Sequence, residues 1–559
     1  MKHIISSLAV WLLLLGTLVR GQVFDESFDA WPLDLKIQGQ ILVADELNEQ
    51  IEKSLTADGR LSSVLVISDA CDAQREQLKE RWESLANRFA LVSSAELIAE
   101  QTIADQYAVL FWHCQPCQRD VLDLSFLRLE PVFRSQIAAG KTLLAIGPLY
   151  HTLAKFYESD GSEGVNQLLR GMNLLPDTVF ISGAFDRDRF ANVELADREA
   201  LMRCVSIELT PGTSLALSGR KMTVAGTGQA TFQLSYDASQ TSEAKRRRAT
   251  IQQAERGLRT TKWLLDLTQW RREAIDQTLD AFPPAQPRQP IVERGTLFIV
   301  GGGGMPPGLM EQFVEASGGS SAKLVYVPCS EDDEVPAEHS IVASWKKIGV
   351  SRAGYIHTKD RQRANADDAF LEPLRDATGI WFGGGRQWNL ADSYYGTTAH
   401  RLMKEVLHRG GAIGGSSAGA SIQARYLARA TPIENFDIMA PGYERGGLGF
   451  ISGVAIDQHF SQRRRQKDMT ELVRRYPQLL GIGIDEATAL IVKKSTAQVV
   501  GRGRVYFYDR PGAGNRDADD NSGANDTNAE RRDYLALEAG QAYDLANRIV
   551  IGSSEEQAE

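Results

Sequence analysis

The strongest constraint on what this chain can fold into is a rhythm of short apolar runs separated by stretches of helical pattern. Between residues 62 and 70 the run Val64-Leu65-Val66-Ile67 is β-branched and apolar on both faces; similar runs follow at Tyr107–Trp112 and Thr142–Ile146, the last just after a helix ending in Ala139-Gly140. The second half repeats the pattern with Thr296–Val300, Lys323–Val327, Gly379–Phe382, a helical stretch to Arg409, and Ala412–Gly414. Strands apolar on both faces and alternating with helices belong in a parallel sheet covered on both sides. The expected class is therefore α/β, doubly wound and mostly parallel. At 559 residues the chain is too long for a single core, so more than one domain is expected.

The two halves read as diverged copies of one domain. IELTPGTSLALSGRKMTVAGTGQATF (Ile207–Phe232) lies against IDEATALIVKKSTAQVVGRGRVYF (Ile484–Phe507) after a two-residue gap, sharing V-x-G-x-G-x-x-x-F. Upstream and in the same order, Leu175–Ala191 pairs with Ile451–Lys467, and AAGKTLLAIGPLYHTLA pairs with HRGGAIGGSSAGASIQA. Between the copies, Ala238–Phe282 has helical composition, with an apolar stripe at Ile251, Ala254, Leu258 and Leu265. The basic run Lys245–Arg248 at its start reads as a solvated helical end, the sharper alternative being a membrane-surface or polyanion contact. Pro283, Pro284, Pro287 and Pro290 then make a stiff connection. The expected organisation is a signal segment (1–22), a first copy (23–237), a helical and proline-rich linker (238–290) and a second copy (291–559). A polar loop interrupts the second copy at 511–533. Its Asp517-x-Asp519-x-Asn521 resembles the opening of a calcium loop, but the glycine falls one place late and no glutamate closes it.

Bulk properties narrow the function. A net charge of −10 argues against a nucleic-acid binder with a wholly basic surface. Lys2 and His3 precede an apolar stretch from Ile4 to Val19, with Gly21 near a plausible cleavage point. That stretch is short for a spanning helix and suits a secretory signal, so a secreted or periplasmic protein without other membrane segments is expected. The five cysteines are Cys71, Cys114, Cys117, Cys204 and Cys329. An odd count leaves one thiol over within a single chain, and the Cys114-x-x-Cys117 pair reads as a disulfide or two loop thiols, since a second ligand pair for zinc is lacking.

The chemistry concentrates in the second copy. Gly415-Ser416-Ser417-Ala418-Gly419 stands between a strand and a helix expected from Ala420 onward, as a nucleophile elbow does: small residues allow a tight turn that thrusts the serine out. The N–H of Ala418 can then face an oxyanion. Among only eight histidines, His459 in Asp457-Gln458-His459-Phe460 directly follows the apolar run Val454–Ile456, at the C-terminal end of a strand and hence on the edge that carries the elbow. Arg463, Arg464 and Arg465 follow as an expected anion clamp. Gly481-Ile482-Gly483-Ile484-Asp485-Glu486 brings a further strand ending in carboxylates, either of which could orient an imidazole. The chain order Ser, His, acid differs from the Ser, acid, His order of α/β-hydrolases.

Together GGGG after the first strand, FGGGRQ (Phe382–Gln387), GGSSAGA, DQHFSQRRR and GIGIDEATAL resemble the cyanophycinases of peptidase family S51, which also contains the aspartyl dipeptidases. The resemblance spans Gly295–Phe507 and a closing strand pair near Tyr534–Ile549. It implies a three-layer α/β sandwich related to class I glutamine amidotransferases, with serine in place of their cysteine. It further implies Ser417 as nucleophile, His459 as base and Glu486 as acid, with oxyanion-hole amides from Gly385 and Ala418. Gln387, Asp457, Gln458, Arg463 and Arg465 would bind substrate. The implied reaction releases β-aspartyl-arginine dipeptides from cyanophycin, an aspartyl-arginine polymer; a serine triad needs neither metal nor other cofactor. Exported aspartyl or isoaspartyl dipeptidase activity and non-catalytic polymer binding are the alternatives.

Two departures stand out. Asp468 sits where the family has a further basic residue, and Ser416 replaces a threonine. The first copy lacks the equipment: Gly147-Pro148-Leu149-Tyr150 has no elbow serine, and Ile181-Ser182-Gly183 has no histidine. It is expected to be a degenerate, non-catalytic partner packed on the second copy.

Overall fold

The computed structural model describes residues 37–47, 51–52, 61–113, 124–159, 167–186, 188–235, 248–252, 265–432, 437–509 and 533–552. The signal segment, the Cys114–Cys117 pair, most of the basic run and residues 511–532 of the polar loop lie outside them. No helix among the described residues is long and apolar enough to cross a membrane.

The architecture is mixed α/β, as the rhythm of the sequence requires, with two sheets in each half. The larger sheet of the C-terminal half runs Arg352–Tyr355, Lys323–Cys329, Gly379–Gly385, Ala412–Ser416, Val292–Val300, Thr488–Lys494, Thr496–Gly501, Ala542–Asp544, Ile549–Ile551. Its first five strands are parallel and the rest antiparallel. The larger sheet of the N-terminal half runs Phe89–Val92, Val64–Ser68, Val109–His113, Thr142–Ile146, Gln40–Ala44, Thr213–Ser218, Lys221–Gly226, Leu265–Asp266. Again five parallel strands are followed by antiparallel ones. In the smaller sheets, Ala424–Tyr426, Ile451–Gln458, Leu480–Ile484 and Val505–Tyr508 of one half follow the order of Ala154–Ser159, Leu175–Phe180, Val205–Leu209 and Gln229–Leu234 of the other. Central strands are buried on both faces, all five positions of Val64–Ser68 and of Leu480–Ile484 among them. Helix cover on each side explains their unbroken apolar character.

The linker expectation is corrected. Among its described residues, Arg248–Gln252 pairs with Gln229–Gln233 at the edge of the smaller N-terminal sheet, and Leu265–Asp266 extends the larger one. Only Leu267–Asp276 is helical; its Leu267, Trp270 and Ala274 join the N-terminal core, and the Asp266 side chain caps it by accepting from the Gln269 N–H at 2.8 Å. The expected stripe therefore does not form one helix face, and Ala254 and Leu258 lie outside the described residues. A sparse apolar pattern fits two short strands as well as one helix, and Thr250-Ile251 is β-branched. The proline-rich stretch is docked on the C-terminal half: the guanidinium groups of Arg425 and Arg445 each lie 4.9 Å from the Phe282 ring, and Gln478 Nε2 donates to the Pro283 carbonyl at 3.2 Å.

Candidate active site

Three strands of the larger C-terminal sheet and two of the smaller bring their C-terminal ends together, so His459 follows a strand of a different sheet from the elbow's rather than sharing its edge as expected. Ala412–Ser416 runs into Ser417, Ile451–Gln458 into His459, Leu480–Ile484 into Asp485-Glu486, Gly379–Gly385 into Arg386, and Val292–Val300 into the glycine run 301–304.

Ser417 has φ 57° and ψ −113°, a conformation that non-glycine residues adopt at a cost of roughly 1–3 kcal/mol. It is held there because its N–H donates to Val300 O at 3.0 Å. The flanking glycines follow from close approach: a Cβ on Gly415 would sit 2.2 Å from Gly419 O, and one on Gly419 2.2 Å from Phe382 O. The helix after the elbow begins at Ala418, two residues earlier than expected, and lasts one turn to Ser421. Gln423 ends it, its Nε2 donating to Gly419 O at 3.0 Å and Phe298 O at 3.1 Å before the chain enters the Ala424–Tyr426 strand.

Ser417 Oγ lies 2.9 Å from His459 Nε2, and His459 Nδ1 lies 2.6 Å from Glu486 Oε1. The carboxylate fixes the tautomer, with the proton on Nδ1 and Nε2 free to accept. Burial lowers the His459 pKa from its ordinary value; the Glu486 hydrogen bond opposes this and the nearby Arg463 charge reinforces it. The imidazole is thus neutral, the form a base requires. Asp485, by contrast, faces away: its Oδ1 accepts from the Ser461 N–H at 2.9 Å and its Oδ2 from the Arg504 N–H at 3.1 Å. Between the two adjacent carboxylates, the geometry brings Glu486 to the histidine.

The glycine run has a part that its sequence pattern alone did not reveal. A Cβ on Gly302 (φ 94°) would stand 2.3 Å from His459 Cε1, and one on Gly303 (φ 63°) 2.4 Å from the Glu486 carboxyl carbon. Gly301 O accepts from the His459 N–H at 2.8 Å, and Gly302 O from the Ala487 N–H at 2.8 Å. Gly384 passes over the serine, where its Cβ would lie 3.5 Å from Ser417 Cβ, and Gly385 has φ 147°. Ala418 opens a helix, where the N–H has no intrahelical acceptor.

The residues expected to bind substrate are mostly turned inward. Gln387 is buried, and its Nε2 donates to Ala428 O at 2.9 Å and Arg429 O at 2.7 Å. Asp457 is 0% exposed and accepts from Arg429 Nη2 at 2.9 Å and Arg465 Nη1 at 2.8 Å. Gln458 Oε1 accepts from the same Arg465 Nη1 at 3.0 Å. Asp457, fully enclosed, serves as counter-ion to two arginines. The anion clamp likewise divides, since Arg465 is buried while Arg463 and Arg464 are exposed. Arg429, outside every motif, was missed. It also pairs with Asp468 at 2.7 Å, so the acidic departure from the family pattern meets a cation from elsewhere in the chain.

In the N-terminal half, Thr142–Ile146 leads into Gly147 and a 3-10 helix, Pro148–Leu153; Gly147, whose N–H donates to Ala44 O at 3.1 Å, stands where the other half carries Ser417.

A serine on a strained elbow, in line with a histidine and a carboxylate, is the arrangement of a serine hydrolase, and the comparisons point to a peptidase. Residues 297–500 match the family described as Peptidase family S51. The similarity to that family covers the C-terminal region of this chain and indicates a serine-type peptidase. A cyanophycinase of Geminocystis herdmanii is 26% identical over 203 residues, 36% of this chain and 74% of the relative. A cyanophycinase of Trichormus variabilis is 25% identical over 209 residues, 36% of this chain and 68% of the relative. Among solved structures, a peptidase from an acI-B1 Actinobacterium aligns over 45% of this chain and 97% of its own, at 23% identity and a TM-score of 0.32.

Proposed function

We propose that the protein is an exported serine exopeptidase that releases β-aspartyl-arginine dipeptides from cyanophycin or a related aspartyl polymer. The observation that carries this reading is the unbroken line from Ser417 Oγ through His459 to Glu486, at 2.9 and 2.6 Å. Ser417 attacks the scissile carbonyl while His459 Nε2 takes its proton, and Glu486 stabilises the imidazolium. The developing oxyanion lies between the N–H groups of Gly385 and Ala418. His459 then returns the proton to the leaving amine, and water, deprotonated by the same imidazole, hydrolyses the acyl-enzyme. The N-terminal half, with the same strand order and no elbow serine, is the diverged non-catalytic copy of a duplicated domain.

One observation favours a second reading, an aspartyl or isoaspartyl dipeptidase. With Arg465 turned inward and Asp468 on Arg429, Arg463 is the exposed arginine whose charge acts on His459. One such arginine beside the histidine suits a single carboxylate anchor on a short peptide. Incubating the purified protein with cyanophycin granules and with β-aspartyl dipeptides, and identifying soluble products by mass, separates the two. Dipeptides from granules support the first, cleavage of dipeptides alone the second, and no turnover of either refutes both. Loss of all turnover in Ser417→Ala ties the activity to this site.

A further inference from the structure

The helix Gln387–Tyr394 follows the strand end Gly383–Gly385 after a single residue, so its placement sets where the Gly385 amide stands over Ser417. All eight of its residues are buried, several of them polar. Such a helix needs partners for its polar groups, and these come from both halves of the chain. The C-terminal half supplies Lys359 Nζ, 3.3 Å from Asn389 Oδ1, and Arg361 Nη1, 2.8 Å from Asp392 O. The Asp392 carboxylate, however, receives Arg220 Nη1 and Arg272 Nη1 from the N-terminal half, together with the Tyr443 hydroxyl at 3.1 Å.

Arg220 is the hub of this contact. It grips Asp266 with two bonds, Nε to Oδ2 at 2.5 Å and Nη2 to Oδ1 at 2.9 Å, donates to Asp392 and Tyr443, and lies 4.8 Å from the centre of the Trp388 ring. Only a planar guanidinium can serve these partners together. Asp392 is charged as the pairing requires: burial favours its neutral form, yet the Arg272 and Arg220 charges hold it well below the usual carboxylate range. Trp388 is the second residue of the helix, and Asp392 lies about 6 Å further along its axis at 1.5 Å per residue. The two contacts thus hold the helix at two points along its length.

We infer that Arg220 is a positioning residue for the active site: joined to Asp392 and Trp388, it fixes the helix that follows Gly385, so that the N-terminal half sets the oxyanion hole without touching substrate. This rests on the reading of Ser417 as nucleophile. The inert half is therefore part of the catalytic machinery rather than a tethered accessory.

The test uses the full chain and a fluorophosphonate probe, which needs no knowledge of the natural substrate. Ser417 Oγ bonds to phosphorus, fluoride leaves, His459 takes the hydroxyl proton, and the phosphoryl oxygen occupies the oxyanion position. The labelling rate, read by intact mass, should fall roughly 10- to 100-fold in Arg220→Met, less than the ~10²–10³ seen when an oxyanion donor is removed outright. Arg220→Lys should fall several-fold, because it keeps the charge and loses the fork. With a peptide substrate, kcat should fall while KM stays within about twofold, the signature of an interaction expressed in the transition state. The control is Arg271→Met, which breaks an ion pair with Asp177 (2.5 Å) wholly within the N-terminal half and should leave labelling at the wild-type rate. Arg220 variants labelled like wild type overturn the inference, as does an Arg271 variant slowed to the same degree, since general loosening would then suffice. If Arg220→Met does not fold, Arg220→Lys decides on the same rates. A wild-type protein that is not labelled at Ser417 overturns the nucleophile reading and this inference together, whereas a labelled wild type with indifferent Arg220 variants overturns this inference alone.

Discussion

Replacing Gly302 by alanine should separate backbone strain from collision at the catalytic histidine. The added Cβ would stand 2.3 Å from His459 Cε1 and 2.6 Å from Nε2, far inside contact distance. The ring cannot retreat freely, since Nδ1 is tied to Glu486 at 2.6 Å and its own N–H to Gly301 O at 2.8 Å. To restore ordinary contact of about 3.5 Å, the ring and the glycine loop must part by about 1 Å. A displacement of that size at a reacting group costs on the order of 10²-fold in rate. Alanine at φ 94° adds roughly 1–2 kcal/mol of backbone strain. Gly308→Ala supplies the comparison: φ is 73°, but nothing lies within 4 Å of the new Cβ. Both variants should lose similar stability in thermal melts, while only Gly302→Ala loses about 10²-fold in kcat/KM. Equal activities in the two variants, both folded, would refute the reasoning that the glycine run exists to admit the imidazole.

Glu486→Gln should reduce kcat by up to ~10⁴, as loss of the orienting acid does in comparable triads, whereas Asp485→Asn loses far less; the reverse ranking in steady-state assays reassigns the acid. Because burial lowers the His459 pKa, the base stays deprotonated below its ordinary value of 6.5, so kcat/KM should be flat at pH 7 and fall only below about 6.5. An acid limb centred above pH 7 contradicts that sign. Chelator should leave turnover unchanged, and activity lost in chelator and restored by zinc overturns the triad mechanism. Residues 291–559 expressed alone would lose the Arg220 and Arg272 contacts to Asp392 and Trp388 and expose the face they cover, so the fragment should melt lower and self-associate unless the N-terminal half is added.

Much of the fold was legible because parallel strands buried on both faces leave an unmistakable apolar run. Thr142–Ile146 is found at the predicted bounds, and Lys323–Val327 extends by two residues to Cys329. Strand pairing at sheet edges was not legible. Arg248–Gln252 alternates with only two apolar residues, Ala249 and Ile251, and Leu265–Asp266 is too short to show a period; what makes them strands is the free sheet edge offered by Gln229–Gln233 and by Lys221-Met222. The same limit explains the one-turn helix after Ser417, which is ended by Gln423 reaching carbonyls of two other segments.

At the site, the serine, histidine and carboxylate that the structure brings together were legible and the residues packed behind them were not, and the reason is physical. A nucleophile elbow or a strand-end histidine is defined by its immediate neighbours, so its chemistry is written in a few consecutive residues. Arg429, Arg220 and Asp392 act through partners 28, 46 and 172 residues away. Nothing near them in sequence marks their role. Charge alone misleads in the same way: Arg463, Arg464 and Arg465 are chemically identical, yet the left-handed conformation of Arg464 sends its neighbours in different directions, one outward and one onto the buried Asp457. A buried carboxylate must be matched by cations, and the matching set here is drawn from both halves of the chain. The C-terminal half therefore could not lose the N-terminal half without also losing the charges that meet Asp392 in the helix behind Gly385.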